Sequence, residues 1–174
     1  MAFRHKNIRL PTTHYRGQRW YFATLCCAGR RPLLTEPKCA TWVISRLREH
    51  SQANLFAVHA YCAMPDHLHV LVLGLDIESD LLVFLKELKQ NTAYQFQRRF
   101  HRALWQKKFY DHILRPRDSP EQVAAYIWMN PVRKGLCRAP QDYPHSGSFA
   151  FDWKKVVPPV ESWTPSWKED DPPA

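Results

Sequence analysis

Two histidines one residue apart, His67 and His69, open an apolar run, Leu68-His69-Val70-Leu71-Val72-Leu73, that reads as a β-strand. In a strand, residues i and i+2 share a face, so the two imidazoles project side by side as neighbouring metal ligands do. Leu68, Val70 and Val72 turn the other way, into a core. A metal held by two imidazoles and an oxygen keeps open positions and can polarise a phosphoryl oxygen. Imidazole suits zinc and manganese and an oxygen-rich shell suits magnesium, so the ligand types alone do not choose. The plain alternative is a pair of histidines hydrogen-bonded on a half-exposed sheet face. Far downstream, Tyr126 and Asn130 lie four residues apart, on one face of a helix if the helix continues that far. A phenol and an amide oxygen would then face one target. Arg133 and Lys134 follow at once, placed to favour a phenolate or to steady a phosphate. Without such neighbours, a tyrosine midway along a helix is a packing residue.

These residues need elements to hold them. Gln18 to Cys27 is aromatic and β-favouring, a first strand. Ala40, Val43, Ile44 and Leu47 recur at helical spacing and predict a helix from Lys38 to His50. A second strand runs from Leu55 to Cys62, Pro65 and Asp66 turn the chain, and His67 to Leu75 returns antiparallel. Ser79 is a candidate N-cap for a long helix from Asp80 to Arg99, with Leu81, Leu85 and Leu88 inward. Lys107 to Leu114 gives a fourth strand. Ser119-Pro120-Glu121-Gln122 is a marked helix start, with serine as cap and proline in the first turn. Pro131 disfavours helical geometry at Asn130, so the tyrosine helix is expected to end or kink there. The order strand, helix, strand, strand, helix, strand predicts an α+β, ferredoxin-like two-layer sandwich. Its antiparallel sheet carries helices on one face and leaves the other open to ligands. The tyrosine-bearing helix and an extended tail follow. Three regions are expected: a basic arm at 1–17, a main domain at 18–138 and a tail rich in proline and tryptophan at 139–174.

The chain has 174 residues, 45% of them hydrophobic, which suits one domain with appendages. No apolar stretch reaches the roughly 18 residues of a membrane span, and the N-terminus lacks the apolar core of a signal peptide. A cytoplasmic protein is expected. Five cysteines without a Cys-x-x-Cys pair argue against a disulfide framework or a cysteine-rich zinc site. The net charge of +9 suits a polyanionic partner, nucleic acid better than a membrane surface because no basic amphipathic stretch stands out, and it suits an ordinary basic soluble protein equally well.

Four blocks taken together are similar to those of a known family. They are Lys6-Asn7-Ile8-Arg9-Leu10-Pro11 with Trp20-Tyr21-Phe22, and Met64-Pro65-Asp66-His67-Leu68-His69. The third is Trp105-Gln106 to Phe109-Tyr110-Asp111-His112, and the fourth is Tyr126-Ile127 to Asn130-Pro131-Val132-Arg133-Lys134-Gly135-Leu136. The sequence resembles the single-tyrosine HUH transposases, and among them the REP-associated tyrosine transposases. In that comparison His67-Leu68-His69 is the HUH motif. The resemblance implies that His67 and His69 bind Mg²⁺ or Mn²⁺, with a third ligand at Asn130, where mobile members tend to have glutamine. Asparagine reaches less far than glutamine. It implies that Tyr126 attacks a phosphodiester of single-stranded DNA, becomes joined to the 5′ phosphate and releases a 3′ hydroxyl. The partner would be REP-type hairpin DNA beside a short single-stranded guide, in the nucleoid of a bacterial cell. A monomer with a self-contained site is favoured over the dimer of mobile relatives. Arg4, Lys6, Arg9 and Arg16 of the arm, Lys89 on the long helix, and Arg133 and Lys134 are candidate DNA contacts. Trp20 and Tyr110 are candidates to stack on unpaired bases or to pack in the core. Asp111 and His112 belong to a family block but receive no role.

Two other functions compete. A non-catalytic single-stranded nucleic-acid-binding module could use the same sheet, although the aromatic signature of RNA-binding domains is absent. A metal-dependent hydrolase could use His67 and His69 with an activated water.

Overall fold

The computed structural model describes residues 10–156. Arg4, Lys6 and Arg9, and the tail beyond Val156, lie outside the described residues. Strands β1 (Trp20–Cys26), β2 (Phe56–Met64), β3 (His67–Gly74), β4 (Tyr110–Ile113) and the two-residue β5 (Ser146–Gly147) form one antiparallel sheet. Its order is β4-β1-β3-β2-β5. Helices α1 (Pro37–Ala53), α2 (Leu81–Phe100) and α3 (Pro120–Arg133) complete the fold. The first four strands with α1 and α2 have the expected ferredoxin-like arrangement. Among the described residues, no helix is long and apolar enough to cross a membrane.

The sheet buries both faces. Tyr21, Ala23, Leu25, Leu68, Val70 and Val72 pack against Val43 and Leu47 of α1 and Phe84, Leu85 and Leu88 of α2. Side chains from the alternate positions of the same strands, Phe22 and Leu71, pack with Val123, Ile127 and Trp128 of α3. The face expected to be open is therefore roofed in part by the tyrosine helix. That expectation missed how apolar α3 is on its inner side: Val123, Ala124, Ile127 and Trp128 cannot remain in water, and the alternate face of the sheet is the available surface.

Strand β2 changes phase halfway. Val58 pairs with Val72 and Ala60 with Leu71, so His59 is skipped in the register. This bulge lets Phe56 and Val58 face α1 and α2 while Ala60, Cys62 and Met64 face α3.

Two helix ends differ from expectation. Asp80, not Ser79, caps α2, accepting from the Leu82 and Val83 amides through Oδ1. The Ser79 hydroxyl instead closes the preceding loop, accepting from the Leu75 and Asp76 amides and donating to the Leu55 carbonyl. Helix α3 runs through Pro131 to Arg133 without ending at Asn130. Proline cannot donate to the Ile127 carbonyl. Asn130 Nδ2 turns back to its own helix, donating to the Tyr126 carbonyl at 3.0 Å and the Ile127 carbonyl at 3.4 Å. Ser119 caps the start of α3 as expected, accepting from the Gln122 amide at 3.2 Å. Gly135, with φ of 67°, supplies the left-handed residue just past the helix.

Residues 140–156 dock as a strap. Ser146 and Gly147 pair with Cys62 and Tyr61 of β2. Trp128 Nε1 donates to the Gly147 carbonyl at 3.1 Å, and Trp153 stacks on Trp128 with centroids 5.1 Å apart.

Candidate active site

The β2–β3 hairpin turns at Pro65-Asp66 and delivers His67 as the first residue of β3. His67 and His69 occupy the α3-facing side of the sheet, 9% and 4% exposed. Their Nε2 atoms stand 3.0 Å apart. Each Nδ1 is held from behind. That of His67 lies 2.6 Å from Asp66 Oδ1, and that of His69 lies 2.8 Å from Thr24 Oγ1. A carboxylate only accepts, so His67 Nδ1 donates to Asp66, and in the neutral ring Nε2 presents a lone pair. Two ring nitrogens this close, with both back sides engaged, require a proton or a cation between them. The spacing suits an N–H···N hydrogen bond and would equally suit two imidazoles sharing one cation. Backing of each imidazole by a carboxylate or hydroxyl is what orients metal-binding histidines. The residues therefore fit a divalent cation.

Asp66 and Thr24 were not among the candidates. Asp66 stands next to His67 in sequence, and its adjacency was the available signal, but it read as a turn residue. Thr24 is found only through register, because β1 pairs Thr24 with His69. Hydrogen bonding to His67 holds the Asp66 carboxyl below the usual range against the opposing effect of burial, and Arg30, 3.6 Å away, adds to the lowering.

Tyr126 meets this pair. Its ring centroid lies 6.2 Å from that of His69 and 6.4 Å from that of Phe22, which itself lies 5.4 Å from His69. The Arg133 guanidinium sits 4.3 Å from the Tyr126 ring centroid, and its Nη2 donates to the Tyr126 carbonyl at 2.7 Å. Asn130 is buried, with Nδ2 committed to the helix, so any ligand role falls to Oδ1. Lys134 follows Arg133 as the C-cap of α3.

Other candidates lie elsewhere. Arg16 forms an ion pair with Asp80 at 2.9 Å, beside the α2 start that follows the far end of β3 from His67. Lys89 donates to the carbonyls of Gln106 and Lys107 on the α2 side. Trp20 packs against His59, with centroids 4.4 Å apart. Tyr110 pairs with Thr24 in register and contacts Phe22, which places it in the His69 row. A groove of about 620 Å³ follows the outer edge of β4, with Lys107, Lys108, Arg115, Tyr110 and His112 in its walls.

The family described as "Transposase IS200 like" matches residues 17–130, which contain both histidines, Tyr126 and Asn130. The chain belongs to the IS200-like transposase family. A REP-associated tyrosine transposase of Escherichia coli is 22% identical over 149 residues, spanning 80% of this chain and 87% of that protein. A Haemophilus influenzae protein provisionally named as a REP-associated tyrosine transposase is 29% identical over 119 residues. That match spans 62% of this chain and 66% of its relative, just under two thirds of the relative's length. A solved REP-associated tyrosine transposase bound to a REP hairpin superposes with a TM-score of 0.64. It is 22% identical, and the match covers 95% of this chain and 92% of that one. The described residues of this IS200-like chain thus share the fold of that structure.

Proposed function

We propose that this protein is a metal-dependent nickase and strand transferase for single-stranded DNA, acting on REP-type hairpins through a 5′-phosphotyrosine intermediate. The observation that carries the reading is the convergence, within one chain, of two back-bonded histidines and a tyrosine on one sheet face. A single chain that brings these groups together also favours a monomer.

His67 and His69 would hold Mg²⁺ or Mn²⁺ through Nε2, with Asn130 Oδ1 as the candidate third ligand. When bound there, the cation supplies Lewis-acid polarisation of a phosphoryl oxygen. The chain does the rest. Asp66 fixes the tautomer of His67 in the neutral ring, and Thr24 holds the angle of the His69 ring. Tyr126 Oη attacks phosphorus, the phosphorus bond to the 3′ oxygen breaks, and that oxygen leaves as a 3′ hydroxyl after taking up a proton. The phenolic proton passes to solvent. The reaction reverses when a 3′ hydroxyl attacks the phosphotyrosine, so joining needs no nucleotide cofactor. Arg133 over the Tyr126 ring favours the phenolate through its positive charge. The family name and the hairpin-bound relative support the DNA substrate, and the cationic groove along β4 suits a phosphate backbone.

The test is incubation of end-labelled hairpin DNA with the protein and Mg²⁺ or Mn²⁺. Cleavage with a covalent adduct is expected, lost in Tyr126→Phe. His67→Ala is expected to abolish cleavage while DNA binding persists. Cleavage that survives in Tyr126→Phe would replace this reading with a hydrolase, and binding without cleavage under either metal would replace it with a binding module.

A further inference from the structure

His112 and Asp118 form a second histidine–carboxylate pair, away from the metal-ligand candidates. His112 Nε2 lies 3.0 Å from Asp118 Oδ2, and the two side chains are only 14% and 7% exposed. The same carboxylate oxygen accepts from the Arg115 amide at 2.7 Å. His112 belongs to the edge strand β4, and Asp118 immediately precedes Ser119, the cap of α3. The contact therefore joins the edge of the sheet to the start of the tyrosine helix. On the sheet side, His112 pairs with Phe22, whose ring contacts both His69 and Tyr126. At its other end, α3 is tied to β5 by the Trp128 bond to Gly147.

We propose that His112 and Asp118 are positioning residues for Tyr126: their hydrogen bond clamps the start of α3 to β4 and so sets where the phenol meets His69. This inference rests on the reading of Tyr126 as nucleophile. Tyr126 lies seven residues beyond the Ser119 cap, roughly 10 Å along the axis. A small tilt at the start of α3 is carried to the phenol, and a displacement of about 1 Å at a reacting group costs on the order of 100-fold in rate. The carboxylate can only accept, so Nε2 must donate, and it does so in both the neutral ring and the imidazolium. Burial pushes the His112 imidazole below its ordinary value, while Asp118 pulls it upward. Arg115 and Asp111 are the other charged groups acting on the ring. Neither protonation state removes the donor, so the clamp holds across the neutral range.

The side-chain amide of glutamine can place an N–H near Nε2, so His112→Gln keeps the donor without the imidazole. In single-turnover cleavage of the labelled hairpin at saturating protein, His112→Leu and Asp118→Ala are expected to lose about 10- to 100-fold in rate. The double variant is expected to lose no more than either single one. His112→Gln is expected to stay within a few-fold of wild type. Hydrogen exchange at the amides of Gln122 to Tyr126 should quicken in His112→Leu and not in His112→Gln. If His112→Leu does not fold, His112→Asn serves, because its amide ends one bond short of Asp118. Equal loss in the glutamine and leucine variants would overturn the clamp in favour of direct work by the imidazole. Wild-type rate and exchange in the leucine variant would also overturn it. If the wild type forms no tyrosine adduct, the nucleophile reading fails, and the exchange measurement still decides the clamp.

Discussion

Asp66 offers the sharpest perturbation of the metal-site account, because its side chain and backbone do separate work. Its carbonyl accepts from the Cys27 amide at 2.8 Å, and the neighbouring Pro65 carbonyl accepts from the Leu34 amide at 2.9 Å. The turn before His67 therefore survives removal of the carboxylate. What is lost is the 2.6 Å bond to His67 Nδ1, a charge-assisted contact at the short end of the normal range, together with the more exposed ion pair to Arg30. Partners of this kind contribute about 10- to 100-fold to metal affinity, which is about 1.4 to 2.7 kcal/mol. Asp66→Asn keeps an acceptor without the charge and is expected near the lower figure. Asp66→Ala removes the acceptor and is expected near the upper one. Titration of Mn²⁺ by calorimetry gives the affinities, and hairpin cleavage at saturating Mn²⁺ is expected to recover most of the wild-type rate. Equal Mn²⁺ affinity in Asp66→Ala and wild type would refute the reasoning. Failure of saturating Mn²⁺ to restore cleavage would show that Asp66 acts on something other than His67.

Thr24→Val preserves shape but removes the oxygen behind His69. A loss of about 10-fold in Mn²⁺ affinity is expected by the same titration. Arg133→Met takes the cation from over the Tyr126 ring and is expected to slow cleavage about 2- to 30-fold, the equivalent of about 0.5 to 2 kcal/mol, in single-turnover kinetics. At Gly147 a Cβ would fall 2.4 Å from the Tyr61 hydroxyl and 2.5 Å from its ring carbon. Gly147→Val is thus expected to cost about 1 to 3 kcal/mol in denaturant unfolding and to loosen the Trp128 contact. Burial alone would raise the Asp118 carboxyl, but the Arg115 amide and His112 outweigh it and hold the group below its ordinary value. Its contribution to stability is therefore present above the unfolded value of about 3.9 and lost as pH falls through the lower folded one. The difference in melting temperature between the wild type and Asp118→Asn should widen as pH falls through the ordinary histidine range, because Asp118 favours the charged His112, and shrink below about pH 4.

What could be read from the sequence was local. Strand period put His67 and His69 on one face, and Ser119-Pro120 marked the start of α3, because both signals depend on neighbours in the chain. The placement of α3 over the histidines has no such local signal. Its geometry depends on the apolar stripe of Val123, Ile127 and Trp128 finding Phe22 and Leu71 across the sheet. Thr24 became visible only with the β1–β3 register, and the phase change at His59 has no mark in the local pattern of β2. Pro131 misled because the compensating donor, the Asn130 amide, acts through a side chain that periodicity does not weigh. Asp80 displaced Ser79 as a cap because the serine hydroxyl had three backbone partners in the loop before α2.

The central claim is that Tyr126 becomes covalently joined to DNA beside the histidine pair. Digestion of the protein–DNA adduct formed with Mn²⁺, followed by mass spectrometry of the nucleotide-bearing peptide, tests it most directly. The account predicts a 5′-phosphate linkage on Tyr126, with no adduct formed by His67→Ala or His69→Ala. A linkage on any other residue, or complete cleavage that leaves the protein unmodified throughout, would contradict it.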